Sequence, residues 1–431
     1  MSSETEATTV VESEPQGIEA AHQVIDRADH SISRKSIPEN VLKVLYRLHR
    51  SGYRAYLCGG SVRDLLMARE PKDFDIVTDA HPGDVRRLFR NSRIIGRRFR
   101  LVHVIFQDGV VEVATFRREP EKVEGDGLLV TDDNVFGSPV EDARRRDFTI
   151  NGLFYSIADF TVIDYVGGLR DLEDRLIRVI GVPDLRFQED PVRMLRAVEF
   201  AARLDFEIEA STYDAITEHR NEILKASPPR VSEEILELLR RGWSSSAVEL
   251  LAETRLLEPL LPELQSRLDR GGVDYFWTML QVLDRTVGSG RRISDAVLFS
   301  VLVLPHVIEE IERESALREG KLRVGDMLLH IRELIQPIVD RFAFSAGMRH
   351  QTEQALETLW RLLEPPSDKR SMWRFVFREH FSDGLALLEL YARSSNRYLG
   401  VCQQWQSFAQ KVRRSEDVER PRPPRKRRRR R

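Results

Sequence analysis

A head of α/β or α+β type followed by an all-α region is the fold class this sequence predicts, and three observations predict it. Short β-rich runs alternate with helical ones between about residues 53 and 182. Beyond residue 184 only the 3.6-residue period remains, over 190–203, 213–225, 231–240 and 247–256, with like patterns to about Lys411. The 431 residues are 41% apolar, enough for more than one core at roughly 150 residues per domain. Wholesale disorder is thereby excluded.

Taken in order, residues 1–35 are rich in Glu, Ser and Thr and read as a disordered acidic N-terminus. Ser36-Ile37-Pro38-Glu39 has the pattern of a capping box, and Val41, Leu42, Val44, Leu45 and Leu48 form one apolar stripe that Gly52 ends. Strands are expected at Ala55–Cys58, Phe74–Val77, Leu101–Phe106 and Val110–Phe116, inside a head over 36–183. Residues 119–139, acidic and glycine-containing, look like an excursion from it. A first helical region over 184–260, a helical body over 261–412 and a basic tail over 413–431 complete the chain.

Charge and cysteine content exclude several classes. Only Cys58 and Cys402 are present, too few and too far apart for a disulfide scaffold. The longest apolar run, 296–308, is broken by Ser300, Pro305 and His306, so no membrane span is expected. The first twenty residues hold five Glu and no Lys or Arg, the wrong charge for a signal or transit peptide. A soluble protein of a reducing, cytoplasmic compartment is the expectation. The net charge of −2 hides an asymmetry, because residues 420–431 carry nine basic side chains and the rest carries −11. Such a block reads as a disordered arm that attracts phosphates, or as a solubilising or localisation tail.

The chemistry concentrates in the head. Gly59 and Gly60 separate a β-rich run from a helix, so phosphates could approach backbone N–H groups there, with Arg63 one turn on as a donor fork. Alone, such a turn is commonly structural. Asp73 and Asp75 follow in Lys72-Asp73-Phe74-Asp75-Ile76-Val77, where alternate strand residues share a face about 6.6 Å apart. Two carboxylates so placed repel unless a cation lies between them, and an oxygen-only pair suits Mg²⁺. The turn and the acid pair together resemble a metal-dependent nucleotide site. Glu112 and Asp147 are both candidates for a third carboxylate, Glu112 on an adjacent strand and Asp147 at a helix start. Glu112 could equally pair with an arginine, and Asp147 could serve only the helix dipole. Asp190 and Arg193, three apart on a helix opening, present acceptors beside donors, which can mirror a base edge or simply form an ion pair.

These pieces in this order resemble the class II nucleotidyltransferases, which comprise CCA-adding tRNA nucleotidyltransferases and bacterial poly(A) polymerases. The matching motifs are GGSVRD (59–64), DFD (73–75), RRDFTINGLFY (145–155), DYVGGLRDLEDRLIRVIG (164–181) and EDPVRMLRAVEFAARL (189–204). The resemblance implies a nucleotidyltransferase palm with a small mixed sheet, then a helical nucleotide-recognition neck and an RNA-binding body. It makes Asp73 and Asp75 metal ligands for Mg²⁺, two ions with Mn²⁺ as a substitute. It also makes Asp147 a further catalytic aspartate in preference to Glu112, and Asp190 and Arg193 the readers of the incoming base. Gly59, Gly60 and Arg63 would cradle the triphosphate. The segment IIGRRFRLVH (94–103) and the Pro-containing basic tail are similar to those of bacterial poly(A) polymerases. The implied reaction is template-independent transfer of AMP from ATP to RNA 3′ ends, with pyrophosphate released. CCA addition to tRNA is the rival with the same chemistry, and a non-catalytic RNA-binding protein the rival of another class.

Overall fold

The computed structural model describes residues 22–96, 100–118, 136–317, 324–366 and 368–419. They form two compact units that divide between Asp174 and Arg175. Residues 1–21, most of the acidic excursion and the tail segment 420–431 lie outside the described residues.

The first unit is built on one sheet of eight strands. They are β1 (Gln23–Ile25), β2 (Ala55–Cys58), β3 (Asp75–Thr78), β4 (Ser92–Ile95), β5 (Leu101–Phe106), β6 (Gly109–Thr115), β7 (Leu153–Ser156) and β8 (Val162–Asp164). Their order across the sheet is β1-β8-β7-β2-β3-β6-β5-β4. Among the described residues only the β3–β6 contact of this sheet is parallel, so the sheet is mixed. Alternation sorts the side chains onto two faces, as a period of two requires. Leu57, Ile76, Val111, Val113 and Tyr155 pack with Val41, Val44, Leu45 and Leu48 of helix Glu39–Arg50. Cys58, Val77, Phe116, Phe154 and Ile163 pack on the other side.

Four expectations are corrected here. Residues 22–35 are not disordered: β1 pairs with β8, and Ile32 is 1% exposed within the core. The capping box at Ser36 does not form. Ser36 ends a 3-10 turn (Arg34–Ser36), and Pro38, whose fixed φ suits a helix entry, caps the helix without a side-chain bond. Strand β3 begins at Asp75, so Asp73 lies two residues ahead of the ladder. The first unit ends near 174 instead of 183, because the next segment forms β9 (Leu176–Ile177), which pairs in parallel with β10 (Glu207–Ile208). Strands therefore do not stop at 184.

Apart from that ribbon the second unit is helical, and its early helices are Val192–Leu204, Ala210–His219, Pro228–Arg240 and Ser244–Glu253. Long helices Asp295–Leu317, Ala346–Leu363 and Phe381–Ser395 follow. The apolar run 296–308 is the buried stretch of the first of these, with Pro305 inside it. No helix among the described residues is long and apolar enough to cross a membrane.

Candidate active site

Strand pairing in the first unit gathers the acids. Cys58, the last residue of β2, is the antiparallel partner of Asp75, the first residue of β3. The chain turns at Gly59 immediately after Cys58, so the glycine turn and the DFD segment lie at the same end of the sheet. Glu112 of β6 is the parallel register partner of Asp75, which sets a third carboxylate beside it. Burial first, and then the negative charge of Glu112, push the Asp75 carboxyl above its ordinary value, with Asp73 adding to the rise and Arg146 opposing it. Asp73 and Asp75 both keep a solvent-exposed side while the surrounding protein crowds the Asp75 carboxyl, so the negative charge gathers at an open edge. Lys72 lies 3.8 Å from Asp73, and His103 Nε2 lies 3.0 Å from Glu112 Oε1. A cavity of about 750 Å³, lined by Lys35, Arg69, Lys72 and Phe74, adjoins the residues on either side of Asp73.

The glycine turn has a rigid support. Gly59 has φ +68° and ψ −136°, a conformation that is open to glycine and strained for other residues. A Cβ at Gly59 would meet Arg146 Nη1 at 3.0 Å. Arg146 itself is fixed, donating to Asp142 Oδ2 from Nε (3.3 Å) and Nη2 (3.0 Å), and from Nη1 to the Asn151 carbonyl at 3.4 Å. Its guanidinium lies over the Phe154 ring, 5.4 Å from the centroid. Asp142 is fully buried, and it also accepts from Arg145 and from the Arg117 backbone N–H. Burial alone would raise the Asp142 carboxyl, but Arg146 and Arg145 outweigh it and hold it below its ordinary value.

Arg63 occupies a different place from the one expected. It is 1% exposed; Nε donates to Asp64 Oδ1 at 2.8 Å and Nη1 to Asn151 Oδ1 at 2.7 Å. A donor fork turned inward on Asp64 and Asn151 braces the loop behind the glycines. Asp147 is also differently placed: it precedes a 3-10 turn (Thr149–Asn151) instead of opening a helix. Its Oδ1 accepts from the Phe148 N–H at 2.8 Å and from Asn151 Nδ2 at 3.1 Å. Asn151 therefore links Asp147 to Arg63. Of the two candidate third carboxylates, Glu112 is the one that strand register sets beside Asp75.

The second unit holds the other two candidates. Asp190 ends helix Pro183–Glu189, and Val192–Leu204 follows at once. Its carboxylate takes a bidentate pair of bonds from Arg230, Nη1 to Oδ1 at 3.1 Å and Nη2 to Oδ2 at 3.0 Å. Arg193 donates from Nη1 to the Arg186 carbonyl at 3.0 Å and lies 3.6 Å from Glu189. Arg146, Asn151 and Arg230 are the supporting residues that reading the sequence missed. Arg146 and Asn151 stand inside the quoted RRDFTINGLFY motif, whereas Arg230 gave no local signal.

A mixed sheet with an acid cluster beside a Gly-Gly turn, followed by a helical unit, defines a nucleotidyltransferase. Residues 55–178 match the model for the poly A polymerase head domain, and 205–268 the probable RNA and SrmB-binding site of polymerase A. Poly(A) polymerase I of Salmonella typhi is 40% identical over 403 residues, covering 89% of this chain and 85% of that protein. Poly(A) polymerase I of Escherichia coli O6:H1 is 43% identical over 366 residues, covering 80% and 78%. The CCA-adding enzyme of Bacillus subtilis matches over 51% of this chain and 54% of its own, at 40% identity. Among solved structures, the Bacillus stearothermophilus CCA-adding enzyme in complex with CTP has the same fold, at TM-score 0.64 and 24% identity over 89% of this chain and 88% of that one. The chain belongs to the poly(A) polymerase family.

Proposed function

We propose that this chain extends RNA 3′ ends with AMP from ATP, without a template, at the edge formed by Asp73, Asp75 and the Gly59–Gly60 turn. The observation that carries this reading is the meeting of β2, β3 and β6 at one end of the sheet. That meeting gathers Asp75, Glu112 and the glycines beside Asp73. Neighbouring carboxylates offering only oxygen donors form a set that fits Mg²⁺ or Mn²⁺, and their mutual repulsion adds to burial in raising the Asp75 carboxyl. Asp73 and Asp75 would hold the metal, with Glu112 beside them. When bound, the metal would acidify the RNA 3′-hydroxyl and neutralise charge on the triphosphate. The chain supplies the rest. Gly59 and Gly60 leave room for phosphate oxygens close to the backbone. Arg146 and Arg63, anchored on Asp142, Asp64 and Asn151, keep that turn in one conformation. Asp147 acts with them through Asn151. In the second unit, Asp190, held by Arg230, and Arg193 are the groups that read adenine.

The test is incorporation from ATP alone or CTP alone, on a generic RNA and on a tRNA lacking its terminal CCA. AMP addition to both substrates is expected, and CTP-dependent growth confined to the tRNA would replace this reading with CCA addition. Asp73→Ala and Asp75→Ala should abolish incorporation while RNA affinity survives. Near-normal turnover of either variant would remove the acid edge from the mechanism.

A further inference from the structure

The second unit contains a cavity of about 950 Å³ between helices Asp295–Leu317, Ala346–Leu363, Lys369–Val376 and Phe381–Ser395. It lies beyond residues 205–268, the segment matched as a probable RNA-binding site. Four arginines line it, Arg361, Arg374, Arg378 and Arg397, against two acids, Glu312 and Glu364. Several other arginines of this unit sit on carboxylates: Arg230 on Asp190, Arg240 on Asp295, Arg341 on Glu263, Arg291 on Glu389. Among the described residues, none of the four cavity arginines has a carboxylate within ion-pairing distance. Burial, and then the charge of Arg378, push the Arg361 guanidinium below its ordinary value with Glu357 opposing, and four guanidiniums share the cavity with two acids.

Aromatic rings accompany that charge. Tyr398 is 42% exposed, and its centroid lies 6.2 Å from that of Tyr391. Trp360 and Phe375 also line the cavity, and Arg378 covers the Phe375 ring at 5.2 Å. Asn396 and Tyr398, on either side of Arg397, both have left-handed backbone, φ +55° and +61°, which is costly at a bulky residue such as Tyr398. Guanidiniums grouped beside an exposed ring are the chemistry that holds single-stranded nucleic acid: charge for the phosphates and a π-face for any base. A volume near the top of the roughly 300–1,000 Å³ range of small-ligand sites admits a nucleotide.

We propose that this cavity holds an unpaired stretch of the RNA substrate, with phosphates on Arg374 and Arg378 and a base on Tyr398. The proposal rests on the reading of the chain as an RNA-extending enzyme. It is tested by fluorescence anisotropy of a labelled oligoadenylate against salt concentration, using the full chain. Arg374→Gln with Arg378→Gln should flatten the log–log salt slope by about 1.4, the change for two single-strand phosphate contacts. Tyr398→Ala should weaken binding roughly fivefold or more with the slope unchanged. ATP affinity should stay as in the parent. Should the glutamine pair unfold, Arg374→Lys with Arg378→Lys, which keeps the charge and the parent slope, and Tyr398→Ala carry the test. Parent-like affinity and slope in both the glutamine pair and Tyr398→Ala would overturn the proposal. So would competition by ATP alone at this cavity, which would make it a free-nucleotide site. A parent chain that binds the oligonucleotide but adds no AMP would sink the catalytic reading and leave this site standing.

Discussion

Asp142 offers the sharpest test of how the glycine turn is held. Its carboxylate is 0% exposed and is shared by Arg145 and Arg146, which are 29% and 17% exposed. Asp142→Asn keeps the shape and one acceptor oxygen, but leaves two guanidiniums facing a neutral amide with donors of its own. Removing one partner of a buried pair costs about 3–5 kcal/mol, and the partial exposure of both arginines argues for the lower end. At about 3 kcal/mol, and 2–4 °C per kcal/mol for a unit of this size, Tm should fall by about 6–12 °C. The pH dependence supplies a second check. The folded carboxyl is held below the unfolded value of about 3.9, so its contribution is complete above about pH 5 and is lost as pH falls through the folded pKa. The Tm gap between parent and variant should be constant from about pH 5 to 8 and should narrow under acid conditions, below about pH 4. Circular dichroism melts across that range measure both quantities. A gap below about 2 °C at neutral pH, or one undiminished in acid, would refute the assignment of Asp142 as the charged anchor of the two arginines.

Three other outcomes follow from particular contacts. Gly59→Ala places a Cβ at 3.0 Å from the pinned Arg146 in a backbone conformation strained by about 1–3 kcal/mol, so kcat for AMP addition should fall at least tenfold with RNA affinity kept. Steady-state kinetics beside RNA binding distinguish this from general unfolding. Arg230→Gln leaves the Asp190 carboxylate without its bidentate partner, and the preference for ATP over CTP should drop roughly tenfold to a hundredfold, read as the ratio of kcat/KM values. Deleting residues 420–431, with nine basic side chains, should weaken RNA binding and flatten its salt dependence with ATP affinity unchanged. An unchanged slope would remove the tail from RNA binding.

The short β-rich runs were legible. Ala55–Cys58 and Leu101–Phe106 occur at their expected bounds. The helical region after them was legible because apolar period records which face is buried, whereas the mixed sheet was expected only from the motifs' resemblance to the nucleotidyltransferases. What pairing alone decides was not. Glu112 was expected on an adjacent strand, but its place directly beside Asp75 is a matter of register between two strands distant in sequence. The inward turn of Arg63 depends on Asn151, 88 residues away, and the hold on Asp190 depends on Arg230, 40 residues away. A local pattern shows a charged side chain but not the partner that takes it. The motif DYVGG, quoted for its resemblance, has a structural job. Asp164 accepts from the N–H groups of Val166, Gly167 and Leu169 at 2.9 Å each, and a Cβ at Gly168 would come within 2.1 Å of the Thr149 carbonyl oxygen.

The one parallel contact in the sheet has a bearing on biosynthesis. Because β3 and β6 run the same way, the chain must cross over through Pro82–Leu88, β4 and β5 before Glu112 can come to rest against Asp75. Asn151, the brace of the loop, arrives later still. A ribosome-bound chain that has emerged only as far as its DFD segment holds two bare acids and a loose hairpin. Contacts so remote along the chain form slowly, because loop closure must precede them. Competence should therefore switch on in one late step, when the last central strand docks, and no truncated head should show partial turnover.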